Sequence, residues 1–197
     1  TWTARETHVV ARSGLEGLAL YRIVQARQEA AMLENNLAMA YLRVGNLSRA
    51  TEYAANARRL HETDNDHRSL AYVLETQAQI ALAAGDDAGA LRLADEAMGH
   101  AVASDDRRAL SNSLLTIARS HAAAGRTDDA LAAYARTVEA LRRTGPVPRL
   151  QHALTDWADL LARLGRHREA FDLTREALKQ LRLRLDATAP DGLDSLC

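Results

Sequence analysis

Seven histidines, one cysteine and a pair of close carboxylates are the residues whose types could do chemistry, and their spacing argues against it. His8, His61, His67, His100, His121, His152 and His167 include no pair four residues apart, and no His-Glu-x-x-His zinc motif occurs. Asp64 and Asp66 are followed by His67 and Arg68, which breaks the alternation of oxygen ligands and glycine that a calcium loop needs. There is no glycine-rich phosphate loop and no Gly-x-Ser-x-Gly elbow, and Cys197 is the last residue, with no base fixed beside it. His152 near Asp156 is the one candidate acid–base pair. We therefore expect no enzyme, no metal site and no cofactor.

What remains are side chains that could bind, and the elements that would position them are helical. Hydrophobic residues make up 47% of the 197 residues but aromatics only 4%, with Ala and Leu dominating, which favours thin, closely packed helices over a sheet. A formal charge of −1 lacks the basic excess used to hold a phosphate backbone, and no apolar run approaches the ~20 residues of a membrane span. Direct nucleic-acid contact and a membrane role are not expected. A single terminal cysteine excludes an internal disulfide and fits the reducing cytoplasm. Lys179 is the only lysine, an Arg bias that suggests a GC-rich genome. The chain begins Thr1-Trp2-Thr3 with no secretory signal, and reads as a piece of a longer protein.

Self-similarity supplies the architecture. Gly45, Gly85, Gly125 and Gly165 stand 40 apart, each followed five residues later by Ala50, Ala90, Ala130 or Ala170. Ala38, Ala78, Ala118 and Ala158 lie seven before the glycines, and Ala57, Ala97, Thr137 and Ala177 lie twelve after them. Small residues suit places where two helices cross closely, and glycine suits the turn between them because it accepts the left-handed backbone that ends a helix. Asn46, Asp86 and Thr127 follow the glycines as N-cap candidates, and Thr63-Asp64-Asn65-Asp66, Ser104-Asp105-Asp106 and Thr144-Gly145-Pro146 read as turns between units. First helices are predicted at about 27–44, 67–84, 107–124 and 147–164, and second helices at about 47–62, 87–103, 127–143 and 167–187. Residues 1–187 then form one repeat domain, with units at about 28–67, 68–107, 108–147 and 148–187 behind a leading helix at about 4–23, and 188–197 form a flexible tail. In the leading segment Val10 and Gly17 occupy the alanine positions.

These units resemble the tetratricopeptide repeat (TPR) family: the fourth reads Leu154, Trp157, Ala158, Gly165, Ala170, Ala177. The likeness covers about residues 28–180 and departs from the commonest form in its period of 40 rather than ~34 and in lacking a closing proline. It implies an all-α, right-handed superhelical solenoid of four hairpins plus a leading helix and a C-terminal capping helix. It also implies ligand binding on the concave side formed by the first helices. The Arg- and Ala-rich text, as in Ala84-Gly85-Asp86-Asp87-Ala88-Gly89-Ala90-Leu91, looks most like the ligand-sensing TPR part of actinobacterial helix-turn-helix transcription regulators. A constitutive scaffold joining protein subunits is the alternative.

Carried over residue by residue, the family's groove positions fall in the first unit on Asn35, Asn36, Met39 and Arg43, and in the second on Tyr72, Glu75, Thr76 and Gln79. The third offers Asn112, Leu115, Thr116 and Arg119, and the fourth His152, Thr155, Asp156, Asp159 and Arg163. Such a row suits an extended peptide or protein segment, whose backbone needs donors and acceptors at intervals, although a solvated helix face has the same composition. Two successive asparagines cost a helix up to about 1 kcal/mol against Ala, so Asn36 either holds a ligand backbone or bonds a neighbouring helix. Asp156 and Asp159 could receive a partner's cation, or Asp159 could pair with Arg163 four residues on. The carboxylate clamp of chaperone-binding members is absent, since Asn35, Met39, Thr76, Asn112 and Thr116 fill the matching places. Trp157 and Tyr41 read as core.

The last helix carries Leu178, Leu181 and Leu185 at helical spacing, with Leu183 nearby, after the point where a next hairpin would cover it. A terminal repeat normally shows a polar outer face. The stripe therefore calls for a partner helix, most simply in a homodimer, or for the tail to fold back over it.

Overall fold

Each 40-residue period folds as a helical hairpin closed by its glycine. In the computed structural model, which describes residues 13–19, 26–144 and 147–188, Gly45, Gly85, Gly125 and Gly165 have φ of 75°, 79°, 69° and 75°. A side chain at any of them would be strained, because the left-handed region costs an L-residue with a Cβ.

After a helical stretch α1 (13–19) come α2 (Arg27–Arg43), α3 (Leu47–Asp64), α4 (His67–Ala83) and α5 (Asp87–Ala103). They are followed by α6 (Arg107–Ala123), α7 (Thr127–Thr144), α8 (Val147–Arg163) and α9 (His167–Thr188). Among the described residues there is no strand. The predicted boundaries hold to within two residues. Of the expected leading helix at 4–23 only 13–19 is described, and Val10, Gly145, Pro146 and the expected tail, save Thr188 at the end of α9, lie outside the described residues.

Capping follows the turn chemistry with one correction. Asn46, Asp66 and Asp86 accept from the N–H groups of Arg49, Ser69 and Gly89, and Asp106 accepts from both Arg108 and Ala109. Thr127, expected as a cap, is the first residue of α7; Arg126 occupies the cap position, its carbonyl taking the Ala130 N–H. Asn65 and Asp105 adopt positive φ between units, where an Asx residue serves as glycine does within them.

The small-residue columns are the crossing points. Ala38, Ala78, Ala118, Ala50, Ala90, Ala130, Ala57 and Ala97 are fully buried, and so is Thr137, whose hydroxyl donates to the Ala133 carbonyl and so satisfies itself inside its own helix. In α1, a Cβ on Gly14 would lie 2.7 Å from Leu37 Cδ2, so this helix sits close on α2, and Leu18 joins Leu37, Ala38 and Ala50 in the core. Tyr41 is half-buried and stacks on Tyr53 at 5.4 Å; Trp157 is half-buried against the core rather than enclosed by it.

The contacts between elements set the curvature. The backbones of first helices lie close to their successors, α2 to α4, α4 to α6 and α6 to α8, whereas among the described residues second helices do not approach so closely and are bridged by long side chains, Arg58 to Glu96 and Arg142 to Glu176. The stack is therefore tight along its inner layer and open along its outer one. A concave wall of α2, α4, α6 and α8 results.

Candidate functional site: the concave groove

The concave wall encloses a groove of about 810 Å³. Into it α2 contributes Asn35, Asn36, Met39 and Arg43; α4 contributes Tyr72, Glu75, Thr76 and Gln79; α6 contributes Asn112 and Arg119; and α8 contributes His152. These groove positions, carried over from the family resemblance, are brought together by the inner-layer contacts. Arg108 and Arg149, which sequence reasoning missed, line it too. Both lie in the first turn of a helix, one turn before the positions taken as groove-forming, so column matching passed them over. A depression of about 550 Å³ continues from the groove, sharing Asn35, Asn36, Tyr72 and Arg108 and adding Met32, His61 and Arg68. A smaller one of about 290 Å³ is lined by Arg119, Asp156, Asp159 and Arg163.

Three expected groove residues are placed otherwise. Leu115 and Thr116 are fully buried, because α6 is held between α4 and α8: Leu115 packs in the core, and the Thr116 hydroxyl donates to Glu75 Oε1 at 3.1 Å. Thr155 is exposed, donates to the Gln151 carbonyl, and lines none of these three depressions. Asp159 makes no ion pair with Arg163 within 4 Å; instead Asp156 takes Arg119 at 2.7 Å, tying α8 to α6.

The polar wall is partly committed and partly open. Glu75 is buried and accepts from Gln79 as well as Thr116. Asp106 caps α6, takes the Arg68 guanidinium at 2.9 Å and the Tyr72 hydroxyl at 3.2 Å. Burial alone would raise the Asp106 carboxyl, but the Ala109 N–H and then Arg68 and Tyr72 hold it below its ordinary value. Burial, and then Asp106, push the Tyr72 phenol up. Tyr134, beneath the smaller depression, is pushed up to about 12 by burial and next by Asp156. In contrast, the Oδ1 atoms of Asn35 and Asn112 are buried with no hydrogen-bond partner. Unpaired buried acceptors are uncommon in folded proteins, and two in one groove mark where donors are missing. Asn36, the asparagine expected to act, is exposed on the groove wall, and among the described residues it does not form the bond to a neighbouring helix that was its alternative. Among the described residues no group of three or more His, Cys, Asp or Glu could hold a metal ion.

No protein-family model matches the sequence, and no curated protein does. Solved structures do match. Aspartyl phosphate phosphatase F from Bacillus subtilis superposes with a TM-score of 0.73 at 16% identity, over 81% of this chain and 42% of that one. A Rap protein complexed with Competence and Sporulation Factor gives 0.74 at 12% identity, over 86% and 49%. Nearly identical TPR-like repeats of a kinesin light chain from Podosopora anserina give 0.64 at 18%, over 92% and 96%. The chain has a TPR-like solenoid fold. At these identities the likeness is one of fold, and this TPR-like chain spans less than half the length of the first two structures. No described helix of the solenoid is long and apolar enough to cross a membrane.

Proposed function

We propose that this TPR-like solenoid is a non-catalytic recognition domain that holds an extended peptide or protein segment in its concave groove. The observation that carries the reading is the pair of buried, unpartnered amide oxygens on Asn35 and Asn112, which suit the N–H groups of a ligand backbone. The Rap structure, of the same fold, was solved with Competence and Sporulation Factor, which supports a bound partner as the use of such a solenoid. The setting we favour is the sensor part of a bacterial cytoplasmic transcription regulator. A constitutive adaptor is the second reading, supported by the similarity to kinesin light chain repeats.

A homodimer through α9 belongs to the same proposal. Phe171 and Leu178, seven residues apart on one face of that helix, are 65% and 61% exposed, and Leu181 lies close by. Leu185 is on the same helix, its side chain outside the described residues. Replacing Leu178 and Leu181 by Glu is expected to turn a sedimenting dimer into a monomer with unchanged helical circular dichroism; a wild-type monomer at tens of micromolar removes the dimer.

The groove is tested by selecting displayed random peptides on the immobilised chain. The Asn36→Ala/Gln79→Ala double variant is expected to bind the selected peptides at least several-fold more weakly, with its helical signal intact. Equal binding by the variant would move the site off the concave face.

A further inference from the structure

Four guanidiniums, those of Arg43, Arg108, Arg119 and Arg149, line the main groove against one carboxylate, Glu75, in a chain whose formal charge is −1. The positive charge is thus a local feature. It is also partly uncommitted. Arg119 is neutralised by Asp156, and Arg43 has an interaction of its own. The guanidiniums of Arg108 and Arg149 make no hydrogen bond and no ion pair within 4 Å among the described residues. Some arginines elsewhere do find acids: the half-buried Arg58 holds Glu62 and Glu96, and the exposed Arg142 and Arg166 hold Glu176 and Glu169.

Stability does not account for the two unpaired groups. Arg108 is the second residue of α6 and Arg149 the third of α8, and the partial positive charge at a helix N-terminus disfavours a cation there. Arg149 is half-buried, and burial draws its guanidinium below the ordinary value, with Glu75 opposing and the like charges of Arg119 and Arg108 adding to the effect. Glu75 has an oxygen already engaged by Gln79 and Thr116 and does not pair with it. Beside them Asn112, only 5% exposed, carries its unpartnered Oδ1.

Resting on the groove reading above, we infer that the groove's ligand is a peptide presenting a carboxylate to Arg108 and Arg149, with an adjacent backbone N–H donated to Asn112 Oδ1. A guanidinium offers parallel N–H donors that match the two oxygens of a carboxylate, and such charge-assisted pairs are the strong ones in a sheltered groove. A bound carboxylate supplies the missing counter-charge for both arginines. The peptide N–H supplies the donor that Asn112 lacks. The carboxylate comes from an Asp or Glu side chain or from the peptide's C terminus, and the chemistry recognised is the same.

The experiment uses displayed random octapeptides with free C termini, selected on the 197-residue chain. Each selected sequence is then synthesised in three forms: unchanged, with its acidic side chains converted to amides, and with its C terminus amidated. We expect at least a tenfold loss of affinity in one neutralised form, and which form loses identifies the source of the carboxylate. Arg108→Gln, and separately Arg149→Met, should weaken the unchanged peptide by a similar factor and leave less than a twofold difference between it and its neutralised form. Asn112→Ala should weaken charged and neutralised peptides alike. Because Arg149 is half-buried, its variant is checked by thermal melting, and the exposed Arg108 carries the test if that variant unfolds. Selected peptides that bind equally in all three forms, yet lose binding to the Asn36→Ala/Gln79→Ala variant, would overturn the carboxylate inference and leave the groove in place. Failure to enrich any peptide would overturn both.

Discussion

The crossing points of the helices and the wall of the groove are built on the same eight long helices, yet one repeats along the stack and the other does not. At a crossing every repeat meets the same demand, a side chain no larger than a methyl group or a self-satisfied threonine, and Ala50, Ala90, Ala130 and Ala170 meet it identically. On the wall, residues at equivalent positions diverge: Asn35, Glu75, Leu115 and Thr155 run from half-buried amide through buried acid and core to open surface. Structural demand is periodic because each hairpin packs on a copy of itself. The wall is not, and under the proposed peptide recognition it need not be, because a ligand differs along its length.

The sharpest way to break this contrast is at the crossings. Ala90→Leu or Ala130→Leu inserts bulk where both residues are fully buried, and each should cost about 1–3 kcal/mol in denaturant or thermal unfolding. Unchanged stability in both variants would mean that the small-residue columns are not the joints. Asp106 lies between the two classes, since it caps α6 while also holding the groove-side Arg68 and Tyr72. Asp106→Ala should lose about 1–2 kcal/mol in chemical denaturation, more than Asp86→Ala, whose cap serves a single N–H and no second helix. The smallest effect has the opposite sign. Asn112→Ala removes an unsatisfied buried acceptor and a poor helix former, so it should raise stability by about 0.5 kcal/mol, an increase visible as a higher melting temperature. A marked loss instead would assign Asn112 to the architecture.

This division also explains which parts could be read in advance. The four glycines and their alanine columns located every hairpin, and even Thr137, the one break in a column, sits at its expected crossing because its hydroxyl bonds its own helix. The groove was legible in outline, through family positions on the inner helices. Leu115 and Thr116 were misplaced because the sequence of one repeat does not say how tightly the next first helix closes over it. Arg108 and Arg149 were missed because they belong to no column: their equivalents are Gln28, Arg68 and Pro148 for one, and Glu29, Ser69 and Ala109 for the other. Asp156 was foreseen as receiving a partner's cation, and it meets Arg119, a pairing across the α6–α8 contact that only the stacking geometry creates.

The unequal layers have a mechanical consequence. With the backbones of the first helices close and those of the second helices farther apart, bridged by the Arg58–Glu96 and Arg142–Glu176 ion pairs, the molecule is built like the spine and page edges of a half-open book. Bending about the spine changes the gaps between pages while straining only these solvent-accessible ion pairs and no packed edge, so it is the soft direction of deformation. A ligand lying along the spine from α2 to α8 acts on the short arm of a lever whose long arm is the outer rim. Small adjustments of fit inside would then reach the far end, at α9, as larger displacements.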